Sequence, residues 1–263
     1  MSARRTSQTY DRLGVLTSVL GHRRAYTEYW DRLPQLQAAI SAITSTNPTI
    51  AEMKLVMAVN EQWEVQGTNA SADDVTKDAF GLKLETDTAA NDQEGLVPHE
   101  NTGQSPFRGI YSTDRQCAFG TRMRTGSAIT SQILMAGLRL TFPATLTIAD
   151  DADAAFFFYD TSDASYATTW TCVVRSGTDG NEQIDTGLVV DADRSYRMLI
   201  HCDEQRYVRF YIGVEEEEMR PFVSSKKLDA ATTLNEPMVG IETLAAAAKH
   251  CYVGPITCAQ DEV

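Results

Sequence analysis

Carboxylates dominate the chemistry open to this chain. Asp150, Asp151 and Asp153 fall together between two apolar alternating runs, and Asp160 and Asp163 close the second run. Oxygen ligands offered from loop positions suit Ca²⁺. The spacing fits no EF-hand loop, and a chain with 36 acids clusters some of them by chance. The densest run, residues 215–218 (EEEE), follows Gly213 and Val214 at the end of an alternating segment, where a solvated turn is expected. Retaining glycoside hydrolysis needs two carboxyls about 5–5.5 Å apart, which a strand supplies from alternate positions on one face; four consecutive acids in a turn do not meet that demand. No G-x-S-x-G elbow, P-loop or histidine-rich metal motif occurs. The expectation is a protein with no catalytic residues and no cofactor.

Two other kinds of chemistry remain. Sugar recognition uses exposed aromatic faces beside polar groups, and Tyr159, Tyr166, Trp170, Tyr207 and Tyr211 are the candidates; Trp63 and Trp170 sit in alternating runs, where a tryptophan is more often core. The five cysteines, Cys117, Cys172, Cys202, Cys251 and Cys258, form no CxxC pair, and three lie inside apolar runs (TWTCVV, MLIHC, HCYV) where a thiol acts as a small hydrophobe. Buried free thiols are expected. The histidines, His22, His99, His201 and His250, stand at no zinc-ligand spacing from a cysteine pair, His250 beside Cys251 being the nearest approach.

The elements that must position these groups read mostly as strands. Apolar residues occupy alternate positions at Met53, Leu55 and Met57, at Trp63 and Val65, and at Phe80, Leu82 and Leu84. The same pattern recurs over 118–123, 133–140, 154–159, 170–174, 196–202, 207–214, 238–241 and 250–256. Turn-rich stretches such as QGTNASADD, SGTDGN and DADRS separate the runs. Ten or so short strands with almost no helix between them predict an antiparallel sandwich rather than a βαβ enzyme fold. In the span 196–213 (YRMLIHCDEQRYVRFYIG) two runs flank a polar DEQ loop, a hairpin in which Val208, Phe210 and Ile212 face the core while Tyr207, Arg209 and Tyr211 face away. Arg122 and Arg124 share one face, where solvation or an acidic neighbour would satisfy them. The run LAAAA, residues 244–248, reads as a tight connection.

Residues 1–48 differ. Six arginines stand against three acids in residues 1–40, whereas the rest of the chain holds 17 basic and 33 acidic residues. Segments 13–20 and 33–43 carry apolar residues at helical spacing, and TSTNPT at 44–49 breaks the chain. The reading is an N-terminal arm, helical or extended, over residues 1–48, followed by a β-sandwich over 49–263. Arg4, Arg5, Arg12, Arg23, Arg24, Tyr26, Tyr29 and Trp30 form its basic, aromatic docking surface, with a plain surface helix as the alternative. Polar residues follow Arg4 and Arg5 directly, so the arm does not read as a secretory signal. A net charge of −13 argues against duplex nucleic acid as partner, and no run approaches the roughly 20 apolar residues of a membrane span.

The hairpin span, together with MVGIETLAAAAKHCYVGPI (238–256), NDQEGLVPHE (from Asn91), SPFRGIYSTDRQCAFGTRMRTG (105–126) and MAGLRL (from Met135), resembles the concanavalin A-like jelly-roll proteins found in tailed-bacteriophage virions. The likeness runs in order over roughly 61–258 and lies in the succession of segments rather than in one motif. It implies an all-β, antiparallel jelly-roll sandwich in a virion assembled in the bacterial cytoplasm. It further implies a non-enzymatic capsid decoration or cement protein that binds the major capsid protein or other virion subunits through the arm and associates with itself. A tail or fibre module binding host-surface carbohydrate is the alternative it implies. Glucanases of this fold carry a Glu-x-Asp-x-x-Glu pattern within a strand, which this chain lacks.

Overall fold

A computed structural model describes residues 24–28, 35–36, 63–70, 74–98, 109–110, 116–140, 145–148, 153–177, 179–229 and 234–260. The strands in chain order are β1 (Arg24–Glu28), β2 (Gln35–Leu36), β3 (Glu64–Gln66), β4 (Val75–Lys77), β5 (Leu82–Glu85), β6 (Gln93–Val97), β7 (Gly109–Ile110), β8 (Cys117–Thr125) and β9 (Gln132–Arg139). They continue as β10 (Ala154–Asp160), β11 (Thr169–Arg175), β12 (Glu182–Val189), β13 (Ser195–Cys202), β14 (Tyr207–Val214), β15 (Arg220–Lys227), β16 (Leu234–Thr243) and β17 (His250–Gln260). No α-helix occurs among the described residues, and none therefore is long and apolar enough to cross a membrane.

Two sheets face each other. One runs β15-β14-β13-β8-β17-β5-β4 with β1 also on β17; the other runs β12-β11-β10-β9-β16-β6-β3-β2 with β7 also on β16. Among the described residues every pairing is antiparallel except β2 with β3. Strands adjacent in the sheet are often distant in sequence, as β8 with β17 and β9 with β16, the non-local order of a jelly roll. The fold is an all-β antiparallel sandwich, as the alternating runs and turn signals predict, and a jelly roll, as the resemblance implies.

Alternation explains the core. Val208, Phe210 and Ile212 on β14 are fully buried between the sheets, while Arg209 is exposed and Tyr207 and Tyr211 half-buried. Phe210 meets Phe157 of the opposite sheet edge-on, centroids 5.3 Å apart, and Trp170 on β11 meets Tyr196 on β13 at 5.7 Å. A second apolar cluster lies on the outer face of the nine-stranded sheet, where Ile133, Met135, Phe156, Phe158 and Met238 are covered by Leu146. β9 is consequently buried on both faces along its whole length. Gly137 lies opposite Phe156, and a Cβ there would fall 2.4 Å from the Phe156 Cα, so no larger residue fits.

Several expectations need correction. Gln35 and Leu36, inside a segment with helical spacing, form a short strand parallel to Glu64 and Val65; a sheet edge with free backbone groups outweighs a local apolar period there. Arg24 and Tyr26 lie on β1, opposite Gln260 and Cys258 of β17, so this stretch of the arm is extended and zipped to the sandwich. Segment 13–20 and Met53, Leu55 and Met57 lie outside the described residues. Arg122 is paired with Glu215 and Arg124 with Asp78 at 3.6 Å, and both guanidinium groups lie against the Phe80 ring. Partnered, half-buried stems replace simple solvation because β8 is a central strand. Residues 244–247 form a bend, as expected of a tight connection.

Candidate functional site

A cavity of about 450 Å³ opens at one end of the sandwich. Three connections and two strand ends build it: Ile129, Thr130 and Ser131 from the β8–β9 loop, Tyr159 at the end of β10, Thr161, Ala167 and Thr168 from the β10–β11 loop, Val189 at the end of β12, and Val190 from the β12–β13 connection. Ser131 adopts a left-handed backbone, φ 52°, and its carbonyl accepts Leu244 N–H at 2.8 Å, which fixes that wall. Thr161 closes another side by exchanging hydrogen bonds with the Gln132 backbone, accepting at 2.9 Å and donating at 3.1 Å. Tyr159 is the one aromatic lining residue, and Trp170 and Tyr196 follow behind it in the core at ring separations of 5.9 and 5.7 Å. The two tyrosine hydroxyls are tied inward. Tyr159 donates to Ile129 O at 3.0 Å, and Tyr196 donates to Val189 O at 3.1 Å while accepting Asp191 N–H at 2.8 Å. Burial, then the neighbouring Tyr196 and Asp160, push the Tyr159 hydroxyl above the ordinary tyrosine range.

The cavity thus combines apolar walls (Ile129, Ala167, Val189, Val190) with rim hydroxyls (Thr130, Ser131, Thr168) and no charged lining residue. Val189 is 53% exposed, one of two large apolar side chains so placed among the described residues. Such a surface suits a neutral ligand with both an apolar face and hydroxyl groups.

The surrounding carboxylates are engaged in building turns. Asp160 Oδ1 accepts from Ser162 N and Oγ, both at 2.7 Å. Asp163 Oδ1 accepts from Ser165 N (2.7 Å) and Tyr166 N (3.1 Å), and its Oδ2 from Gln183 Nε2 (3.1 Å). Asp185 Oδ1 accepts from Thr169 Oγ1 and Gly187 N at 2.8 and 2.9 Å. Of the calcium candidates, Asp150 and Asp151 lie outside the described residues. Asp153 is 1% exposed and accepts Asp229 N–H at 3.0 Å, a structural tie between connections. Among the described residues no three metal-capable side chains converge. Glu216, Glu217 and Glu218 form the exposed turn expected of EEEE.

The aromatic candidates separate. Tyr159 and Trp170 are buried, so their faces are core and only Tyr159 borders the cavity. Tyr166 is half-buried in the β10–β11 connection. Tyr207 holds the Lys227 ammonium over its ring at 4.7 Å, and Tyr211 packs on the far face of the eight-stranded sheet with Ala118, Leu199 and Ala259. Sequence reading missed Ile129, Thr130, Ser131 and Val189, which carry no motif and meet only because three loops converge. All five cysteines are free and buried. Burial pushes the thiols of Cys172, Cys251 and Cys258 well up, and for Cys202 a thiol hydrogen bond with Cys117, its cross-strand partner, does so first. Of the arm residues, Arg4, Arg5, Arg12, Arg23, Tyr29 and Trp30 lie outside the described residues, as do His22 and His99.

No protein-family model and no curated protein sequence matches the chain. Solved structures do. Lectin II from Ulex europaeus is 8% identical over 92% of this chain and 100% of its own, with a TM-score of 0.56. Peanut lectin is 9% identical over 77% of this chain and 93% of its own, at 0.55. A protein of unknown function from Shewanella oneidensis MR-1, SO2946, is 10% identical over 90% of this chain and 86% of its own, at 0.54. At such identities the likeness defines the fold, the concanavalin A-like jelly-roll sandwich of the legume lectins.

Proposed function

We propose that this protein is a non-enzymatic, carbohydrate-binding sandwich of a tailed-bacteriophage particle, a tail or fibre-associated module whose sugar site is the cavity at the sandwich end. The carrying observation is the lining of that cavity: apolar walls, hydroxyl rim and no charged group, the complement of a neutral sugar ring. One of the solved neighbours is a lectin complexed with galactose, and the succession of segments over 61–258 resembles phage virion sandwiches, which supports the setting. The carboxylates around the cavity serve turns rather than face one another across a bond to be cut, which supports binding without hydrolysis. A glycan array probed with the purified protein tests this reading. Binding to neutral glycans is expected, with loss of at least about tenfold in affinity when the rim is filled by Thr168→Trp; no glycan bound, or binding indifferent to that substitution, overturns it.

A second reading, capsid decoration, is favoured by the clasp between β1 and β17. It fixes the exit point of residues 1–23, with Arg4, Arg5, Arg12 and Arg23, at the sheet edge, from which they reach the major capsid protein or a second copy of the chain. Particles lacking the protein would then lose resistance to heat or osmotic shock while still adsorbing to cells. Failed adsorption by particles with intact heads would select the fibre reading.

A further inference from the structure

Residues 145–148 cross the outer face of the nine-stranded sheet and are held there by two buried side chains. Arg139 Nη1 donates to Thr147 O at 2.8 Å. Glu242 Oε2 accepts Leu146 N–H at 2.6 Å and Gln93 Nε2 at 2.9 Å. Gln93 and Glu242 are cross-strand partners on β6 and β16, each 1% exposed. Gln93 spends its backbone N–H on Thr68 O, and the neighbouring Thr243 N–H goes to Asp92 O. Positions 93 and 242 are thus a non-hydrogen-bonded pair, the kind that brings facing side chains closest.

Two oxygens are left over. Gln93 Oε1 and Glu242 Oε1 are both buried and have no hydrogen-bond partner. With an ionised carboxylate both are acceptors, and neither can serve the other. One proton on Glu242 converts an acceptor into a donor and completes a reciprocal pair: amide N–H to Oε2 one way, carboxyl O–H to the amide oxygen the other. We propose that Glu242 is held as the neutral acid, its Oε1–H donated to Gln93 Oε1, and that this proton keeps residues 145–148 seated on the sheet.

The surroundings favour the neutral form. Glu242 lies opposite Ile133, which lies opposite Asp160, so the nearest charged group along that row is another acid. The covering residues, Thr145 to Ile148, contribute no titratable group. Glu94 lies on the opposite face of β6, by strand alternation, and Arg139 and Glu236 face each other at the far end of β9 and β16. Burial, with the hydrogen bonds from Gln93 and Leu146 opposing and Asp160 reinforcing, raises the Glu242 carboxyl above the ordinary range. Leu146 caps Ile133, Met135, Phe156 and Met238, so losing the proton to solvent favours lifting the cover, which hydrates the carboxylate and uncovers that apolar face.

Carbon-13 NMR of the full chain labelled at glutamate side chains tests this. One carboxyl resonance, absent from Glu242→Gln, is expected to keep its protonated position at pH values where the other glutamates have ionised. Exchange of the Leu146 amide, corrected for its intrinsic pH dependence, is expected to accelerate through that titration in the native chain. It should stay flat in Glu242→Gln, whose amide reproduces the reciprocal pair. Gln93→Met, which removes the partner, is expected to shift the same midpoint and assigns the resonance if Glu242→Gln does not fold. A Glu242 midpoint among those of the other glutamates, or one unmoved by Gln93→Met, overturns the proposal.

Discussion

Trp170 shows at residue scale how burial decides a side chain's role. Its ring faces Tyr159 and Tyr196 inside the sandwich, so it supports the cavity floor without touching a ligand. Phe157 has the same status at the centre, edge-on to Phe210. Truncating a fully buried aromatic costs about 3–5 kcal/mol, and Phe157→Ala is expected to lower stability by that much in urea titration. The cysteines allow a sharper test. A thiol reacts as thiolate, and burial disfavours that form at Cys172, Cys251 and Cys258. An aromatic disulfide reagent is expected to titrate no thiol in the native sandwich and all five after unfolding; rapid modification of even one native cysteine contradicts the packing described for it.

The two sheets are tied to each other at their edge strands. β12 and β15 are edge strands of different sheets, and Glu182 staples them: its carboxylate accepts from Ser224 Oγ (2.6 Å), Ser225 N (2.7 Å) and Ser225 Oγ (2.8 Å). Burial pushes this carboxyl up, but the hydrogen bonds from Ser224, Ser225 and Lys226 outweigh it and hold it below the ordinary glutamate range. A lowered native value means the unfolded chain binds the proton more tightly, so the staple's stabilisation is present above the ordinary range and is lost as pH falls through the lowered native value. The stability gap between the native chain and Glu182→Gln is therefore expected to close on acidification, as measured by denaturation at stepped pH. Glu242 has the opposite sign, its stabilisation present in acid and lost as pH rises through its raised value. Both glutamates sit in strands and accept hydrogen bonds, and they differ in that burial prevails at Glu242 and the hydrogen bonds prevail at Glu182.

At the scale of the whole molecule, the clasp of β1 on β17 divides the N-terminal region into a part that belongs to the sandwich and a part that precedes it. Deleting residues 1–23 leaves every described strand in place, and the thermal midpoint is expected to stay close to that of the full chain, while incorporation into particles falls if these arginines attach it. Deleting residues 1–48 removes β1 and β2, uncovers one edge of β17 over residues 256–260, and is expected to lower the midpoint. The charge follows the same division, with a basic surplus in the first forty residues and an acidic sandwich behind them.

Period-two alternation was enough to read the fold class and the β13–β14 hairpin, because adjacent strands joined by a short polar loop have one way to bury Val208, Phe210 and Ile212. The burial of Cys172, Cys202 and Cys251 follows from their apolar neighbours in the same way. Alternation failed at β6, which is buried at all five positions of QEGLV, because residues far along the chain cover both of its faces. The cavity and the Gln93–Glu242 pair were equally hidden. Ile129 meets Tyr159 across 30 residues and Gln93 meets Glu242 across 149, separations at which local pattern carries no information. Which side chains seek the interior is legible along the chain, since that depends on each residue and its near neighbours. Which polar groups are buried with them is set by the folded arrangement, because that depends on which strands and loops are brought together.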